Sequence, residues 1–213
     1  HEAGAVLHVD AAQSVGKIPV DVRALDVDLL SISAHKFYGP KGVGVLYVRR
    51  RPRVGLSAQM HGGGHERGLR AGTLPTHQLV GMGKAAELAL HKLPTEGARV
   101  AQLRDRLWNS ISDISGISKN GHPQERLPGA LNISVEGVEG EALMLALPEF
   151  ALSTGSACTS ESLEPSYVLR ALGMPDALAH SSLRISFGRF STEADADLFS
   201  ERLHEVVARL RDE

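Results

Sequence analysis

The stretch Ser33-Ala34-His35-Lys36-Phe37-Tyr38-Gly39-Pro40-Lys41-Gly42 follows an apolar run, Leu29-Leu30-Ser31-Ile32-Ser33, and its two glycines and proline mark a turn. Lys36 therefore stands where a strand gives way to a loop. A lone lysine is usually a solvated cation. What sets this one apart is Asp10, twenty-six residues upstream, which ends a second short apolar run, Ala5-Val6-Leu7-His8-Val9. Both runs are almost unalternating, as expected of parallel strands covered on both faces, and their separation is that of one crossover unit. Two strand ends would then present an amine and a carboxylate together. Pyridoxal phosphate enzymes use such a pair: a lysine for the Schiff base, and an acid that keeps the pyridine nitrogen protonated so that the ring acts as an electron sink.

Three further stretches follow in order: Met60-His61-Gly62-Gly63-Gly64-His65-Glu66-Arg67-Gly68, Arg70-Ala71-Gly72-Thr73-Leu74-Pro75, and Ser153-Thr154-Gly155-Ser156-Ala157-Cys158-Thr159-Ser160. Together with His8-Val9-Asp10-Ala11-Ala12-Gln13-Ser14-Val15-Gly16-Lys17 and the Lys36 stretch, they make a sequence that resembles the NifS-like cysteine desulfurases, which are class V aminotransferases of fold type I. The resemblance runs nearly end to end, and five motifs in one order are far more specific than any one alone. It implies an α/β fold: the C-terminal part of a parallel-sheet, cofactor-binding large domain over residues 1–93, and an α+β small domain over 94–213 that carries the cysteine loop. The sequence has no initiator methionine and enters an apolar strand almost at once. The expectation is that the earlier half of the cofactor domain is missing, with its glycine- and threonine-containing phosphate loop, its ring-stacking aromatic or histidine, and an asparagine near the phenolic oxygen.

Composition fits a globular protein: 42% of the 213 residues are hydrophobic, enough for a core. A net charge of -2 gives no field for nucleic acid or an anionic membrane. No apolar run approaches the roughly 18 residues of a membrane span. A single cysteine suits a reducing compartment and leaves Cys158 a free thiol, so a cytoplasmic location is expected.

Along the chain, 22–25 reads as a short helical patch and 43–48 as a third strand, stopped by Arg49-Arg50-Arg51-Pro52-Arg53. That basic run is a solvated turn or, alternatively, a docking patch for an acidic partner. Residues 57–75 are rich in glycine and histidine and read as a functional or interfacial loop. Three glycines between His61 and His65 disfavour the helix that would pair them on a metal, so no metal site is expected. Periodicity predicts a helix over 76–92 ended by Pro94, a domain boundary there, and a second helix over 95–114. Beyond it come strands at 131–135, 151–153 and 182–186, helices at 140–147 and 166–172, and a closing amphipathic helix over 192–211 capped by Ser191 or Thr192.

Several side chains could carry chemistry. Cys158 lies among small polar residues that, if buried, would be left without partners, which favours an exposed nucleophile over a structural thiol. Arg184 sits on a strand among apolar neighbours. It is either half of a buried ion pair or a bidentate grip on a carboxylate, with Arg189 as a structural counterpart. Thr73 reads as a helix cap ahead of Pro75. Ser33 and His35 flank Lys36 and suit phosphate, and Gln13 follows Asp10 in the turn.

The resemblance assigns these residues further. Lys36 is implied to be the Schiff-base lysine, Asp10 the partner of the ring nitrogen, Gln13 the contact to the phenolic oxygen, and Ser33 and His35 phosphate ligands. Thr73 is implied to reach the phosphate of a neighbouring subunit, Arg184 the substrate carboxylate, and Cys158 the substrate sulfur. The activity implied is conversion of L-cysteine to L-alanine with transfer of sulfur to Cys158 as a persulfide, serving iron-sulfur cluster or thio-cofactor synthesis. It implies a homodimer and an iron-sulfur scaffold or other sulfur-acceptor partner. The alternatives are a selenocysteine or cystine lyase, and a noncatalytic fragment or interaction module.

Overall fold

The computed structural model of the chain describes residues 1–154 and 165–212. Cys158 lies outside the described residues. Two units, His1–Pro94 and Thr95–Glu213, each hold their own core.

In the first unit, strand β1 (His8–Asp10) pairs in parallel with β2 (Leu29–Ser33), with Asp10 opposite Ser31. The strands do alternate. Val9, Leu30 and Ile32 turn into a core with Ala11 and Val27, while the other face carries His8, Asp10, Ser31 and Ser33. Strand β3 (Gly44–Val48) lies antiparallel on the far side of β2, so the sheet is mixed. The ten residues between β2 and β3 are too few for a crossover, which takes a dozen or more. Gly44 is required where β3 meets β2, because a Cβ there would lie 2.5 Å from the Ile32 carbonyl oxygen. The helix expected at 22–25 is instead a turn. The Asp21 carboxylate accepts from the Arg23 and Ala24 amides at 2.8 and 3.3 Å, as a helix N-cap does, but Asp26 at φ 50 takes the left-handed conformation and stops the chain after one turn.

A clamp of charges closes the opposite end of this sheet. Asp28, nearly buried, accepts from the Leu7 amide at 2.9 Å and lies 3.2 Å from Arg49 Nε. Arg49 also holds Asp26 at 2.6 Å and the Val27 carbonyl at 3.1 Å. Arg50, Arg51 and Arg53 stand exposed beyond it.

Between β2 and β3, a single 3-10 turn (Ala34–Phe37) buries Ala34 and Phe37 and leaves His35 and Lys36 exposed, as its period of three dictates. Phe37 packs with Met82, Ala85 and Ala89. Tyr38 closes the turn at φ 71, and the Gly39 amide donates to the Ala34 carbonyl at 2.9 Å. Residues 57–75 form mostly irregular backbone with a short 3-10 turn (His65–Gly68), in which Glu66 and Arg67 take left-handed angles.

Helix α1 (Thr76–Ile111) replaces the two helices expected, with Pro94 inside it. A proline deletes one helical hydrogen bond and costs about 3 kcal/mol. That cost is offset because both flanks bury a stripe: Met82, Ala85 and Ala89 in the first unit, Val100, Leu103, Leu107 and Ile111 in the second. The Leu79 amide donates to the Pro75 carbonyl at 3.1 Å, so the helix starts from Pro75 and Thr73, two residues earlier, is not its cap.

The second unit adds β4 (Ile117–Lys119) and β5 (Ala130–Val135), then α2 (Gly140–Ala146), α3 (Tyr167–Ala171), α4 (Asp176–His180), β6 (Ser182–Ser186) and α5 (Glu193–Asp212). Its sheet is antiparallel in the order β4-β5-β6. Leu131, Ile133 and Leu183 pack with Leu107, Ile111, Leu143, Leu147 and Leu203. On the other face, the buried Ser134 hydroxyl donates to the Leu178 carbonyl at 2.8 Å and accepts from Asn120 at 2.9 Å. The strand expected at 151–153 reduces to one bridge, Ser153 with Arg184. β4 and α4 were not legible, being a three-residue strand and a single helical stretch of five. Thr192 caps α5 reciprocally: its Oγ1 accepts from the Asp195 amide at 3.2 Å and the Asp195 carboxylate accepts from the Thr192 amide at 2.8 Å.

Two stability tests follow from this packing. Phe37→Ala empties a buried aromatic site and is expected to lower the unfolding free energy by about 3 kcal/mol or more, whereas His35→Ala, on the exposed side of the same turn, changes it by less than about 0.5 kcal/mol. Denaturant unfolding of both variants checks the ranking, and similar losses would contradict the packing described.

The second test concerns His204 on α5. Its Nδ1 faces the Ser200 carbonyl at 2.8 Å and its Nε2 faces Asp113 at 3.1 Å, so both bonds are made only by the imidazolium. The Ser200 carbonyl, then Asp113, raises the His204 pKa above 6.5, and the His204 bond lowers that of Asp113. A raised histidine stabilises fully below about 6.5 and loses that contribution as pH rises through the folded value. The lowered carboxylate contributes above its ordinary value and fades as pH falls through the folded one. Urea unfolding at pH 6 and pH 8.5 should therefore show His204→Gln closing the gap to wild type at the higher pH; an equal gap at both would remove the charge from the contact.

Candidate functional site

Parallel pairing brings the carboxyl ends of β1 and β2 to one edge of the sheet, the edge at which open α/β sheets bind ligands. Asp10 closes β1, and Ser33, His35 and Lys36 follow one another out of β2. Asp10 is held by its own turn, with Oδ1 accepting from the Ala12 amide at 2.9 Å. Gln13 comes next in that turn, exposed, its Oε1 accepting from Lys17 Nζ at 2.6 Å.

The turn is fixed to the lysine-bearing one by close packing. Gly16, at φ 77, approaches so near that a Cβ would lie 2.8 Å from Phe37 Cβ. The loop beyond Lys36 is tied to α1, where Gln78 donates to the Lys41 carbonyl at 2.8 Å. Thus Asp10, Gln13, Ser33, His35 and Lys36 share one rim. A concavity of the first unit runs elsewhere, along β3 and the basic turn past Arg49 and Arg53.

This donor set suits a phosphorylated pyridine aldehyde. A carboxylate can accept from a ring N–H, an amine can condense with an aldehyde, a hydroxyl and an imidazole can donate to phosphate, and an amide can donate to a phenolic oxygen. Thr73 stands exposed in the segment before α1.

Arg184 lies in the second unit on β6, and here expectation and structure differ. Strand alternation sends Leu183 and Ile185 inward and Arg184 outward, so its guanidinium is exposed rather than set among apolar neighbours. Its amide donates to the Ser153 carbonyl at 2.7 Å, and its Nη2 lies 3.4 Å from Ser153 Oγ. Arg189 is built into the frame instead. It pairs with Glu96 at 2.8 Å, half-buried, while Arg99 donates to the carbonyls of Gly188, Arg189 and Ser191.

Some contributors were missed in the sequence. His8 Nε2 lies 2.8 Å from Ser31 Oγ on the polar face of the sheet. The signal was present as spacings of two, His8 with Asp10 and Ser31 with Ser33. Lys17 and Ser153, which touch Gln13 and Arg184, had no sequence signal beyond their place in motifs.

Comparison with known proteins agrees with this geometry. Residues 1–199 match the family model described as Aminotransferase class-V. The chain is 62% identical over 207 residues to Cysteine desulfurase IscS of Aeromonas hydrophila subsp. hydrophila, covering 97% of this chain and 51% of that protein. It is 59% identical over 209 residues to Cysteine desulfurase IscS of Pectobacterium atrosepticum, covering 98% and 52%. Among solved structures, a NifS-like protein superposes with TM-score 0.87 at 33% identity, over 97% of this chain and 53% of that one. A NifS-like protein from Rickettsia africae gives 0.88 at 25%, over 97% and 55%. The structure described as SspA in complex with cysteine gives 0.70 at 36%, over 90% and 52%. The chain spans about half the length of the curated relatives it matches. With the lysine and the aspartate at neighbouring ends of parallel strands and the family match covering most of its length, the chain belongs to the class-V aminotransferase family.

Proposed function

We propose that this chain is the C-terminal part of a pyridoxal phosphate-dependent cysteine desulfurase, with residues 1–93 completing the cofactor domain and 94–213 forming the small domain that carries Cys158. The observation that carries the reading is the shared rim of Asp10 and Lys36 at the ends of β1 and β2, in a chain 62% identical to a named cysteine desulfurase.

Pyridoxal phosphate, when bound, supplies the electron sink that makes the substrate Cα–H acidic. Lys36 would be the amine that holds its aldehyde, and its Nζ would carry the Cα proton of L-cysteine. Asp10 accepts from the ring nitrogen and Gln13 donates to the phenolic oxygen. Ser33 and His35 donate to the phosphate, joined by Thr73 of a second copy, so that the working form is a homodimer. Thr73 is exposed and does not cap α1, which leaves its hydroxyl available for that role.

Arg184 grips the substrate carboxylate with two parallel N–H donors. The Cys158 thiolate attacks the substrate sulfur. The S–S bond forms as the C–S bond breaks, and the electron pair passes to the substrate β-carbon, which is protonated to give alanine. The persulfide sulfur then goes to an acceptor such as an iron-sulfur scaffold protein, in the cytoplasm. Among the described residues, no helix is long and apolar enough to cross a membrane.

Lys36→Ala is expected to abolish covalent capture of the cofactor and turnover. Borohydride reduction followed by peptide mapping is the check, and a pyridoxyl group on Lys41 or Lys17 would overturn the assignment. Cys158→Ser is expected to keep the cofactor spectrum and cysteine binding but to lose persulfide formation, since a hydroxyl attacks sulfur poorly. Undiminished alanine release by that variant would mark a lyase that needs no protein thiol.

A further inference from the structure

One cation of the first unit is placed to decide how a cofactor contact is presented. Lys17 Nζ lies 2.6 Å from Gln13 Oε1. An ammonium has three donors and no acceptor, so the atom it engages must be the amide oxygen. The contact therefore fixes the flip of an amide that would otherwise be free to choose. The NH2 end is left over, and among the described residues it has no hydrogen-bond partner.

The turn that carries both side chains is tightly wound. The Ser14 and Val15 amides donate to the Ala11 carbonyl at 3.0 and 3.1 Å, and the Lys17 and Ile18 amides to the Ser14 carbonyl at 3.0 and 3.1 Å. Gly16 anchors it against Phe37. Lys17 is half-buried and Gln13 exposed, and the contact between them lies at the surface.

We propose that Lys17 is a positioning residue that, by holding the Gln13 oxygen, presents the Gln13 NH2 as a donor to the phenolic oxygen of the cofactor. This rests on the reading of Gln13 as the contact to that oxygen. In the opposite flip, the amide oxygen would face a phenolate and repel it, so Lys17 sets the sign of the contact. A donor there favours the deprotonated phenol and lowers the pKa of the bound chromophore. A lysine acting only through its own field would lower it too, whether or not Gln13 were present.

The experiment is a pH titration of visible absorbance on the cofactor-loaded protein, for wild type, Lys17→Met, Gln13→Leu, the double variant and Lys17→Arg. Both sites are at the surface of a turn, and leucine keeps the volume of Gln13. Each single loss is expected to raise the apparent pKa of the chromophore by about 0.5 to 1 unit, the worth of one hydrogen bond. The double variant is expected to go no further than Gln13→Leu, and Lys17→Arg to stay at the wild-type value. A Gln13→Leu shift with no Lys17→Met shift overturns the proposal. So does a double variant whose shift equals the sum of the singles, which would assign the effect to the field of Lys17. If Gln13→Leu itself leaves the titration unmoved, the reading of Gln13 fails and the proposal falls with it, an outcome distinct from the other two.

Discussion

Parallel pairing compels two strands to finish at the same edge of a sheet, and the site described here depends on that. Had β1 and β2 paired antiparallel, Asp10 and Lys36 would lie a strand's length apart. Instead Asp10 stands opposite Ser31, two residues from the end of β2 and five from Lys36. The loop then needs only one 3-10 turn to present the amine. Ala34 and Phe37 supply the burial that holds the turn, and the exposed positions between them fall to the residues with chemistry.

Much of this was legible in the sequence, because each element carried a local signal. The Lys36 stretch combined a strand end with glycine and proline, and β5, β6 and α5 showed the expected periods. What was misread turned on strand register, on where the first helical hydrogen bond falls, and on packing spread along a long helix. Arg184 looked buried because its neighbours are apolar, yet a period of two sends it to the opposite face. Pro94 looked like a helix end because the cost of a missing N–H is local, whereas the stripes that outweigh it are spread over 36 residues. Thr73 had good cap chemistry, but the first helical hydrogen bond goes to Pro75.

The candidate site divides in the same way. The residues expected to meet a cofactor announced themselves by type and by motif. Those that orient them did not. Lys17 is chemically unremarked until its ammonium is found on the Gln13 oxygen, and His8 until its ring is found on Ser31. Orientation is a property of pairs: Lys17 meets Gln13 across one turn, and the spacings of two that place His8 and Ser31 on one face do not by themselves say that the two side chains meet.

The clamp of Asp26, Asp28 and Arg49 gathers the amino ends of β1 and β2 with the carboxyl end of β3, opposite the rim that bears Lys36. Charges that hold the sheet and charges that could act on a ligand are thereby kept at its two poles. Because a carboxylate deprived of its cation inside a protein is costly, the amino pole is the less tolerant of change. The carboxyl pole, whose polar groups are exposed, can be altered with little penalty to folding. A lineage could thus revise its chemistry at one pole while the frame is guarded at the other, and the two ends of three short strands can vary as nearly independent characters.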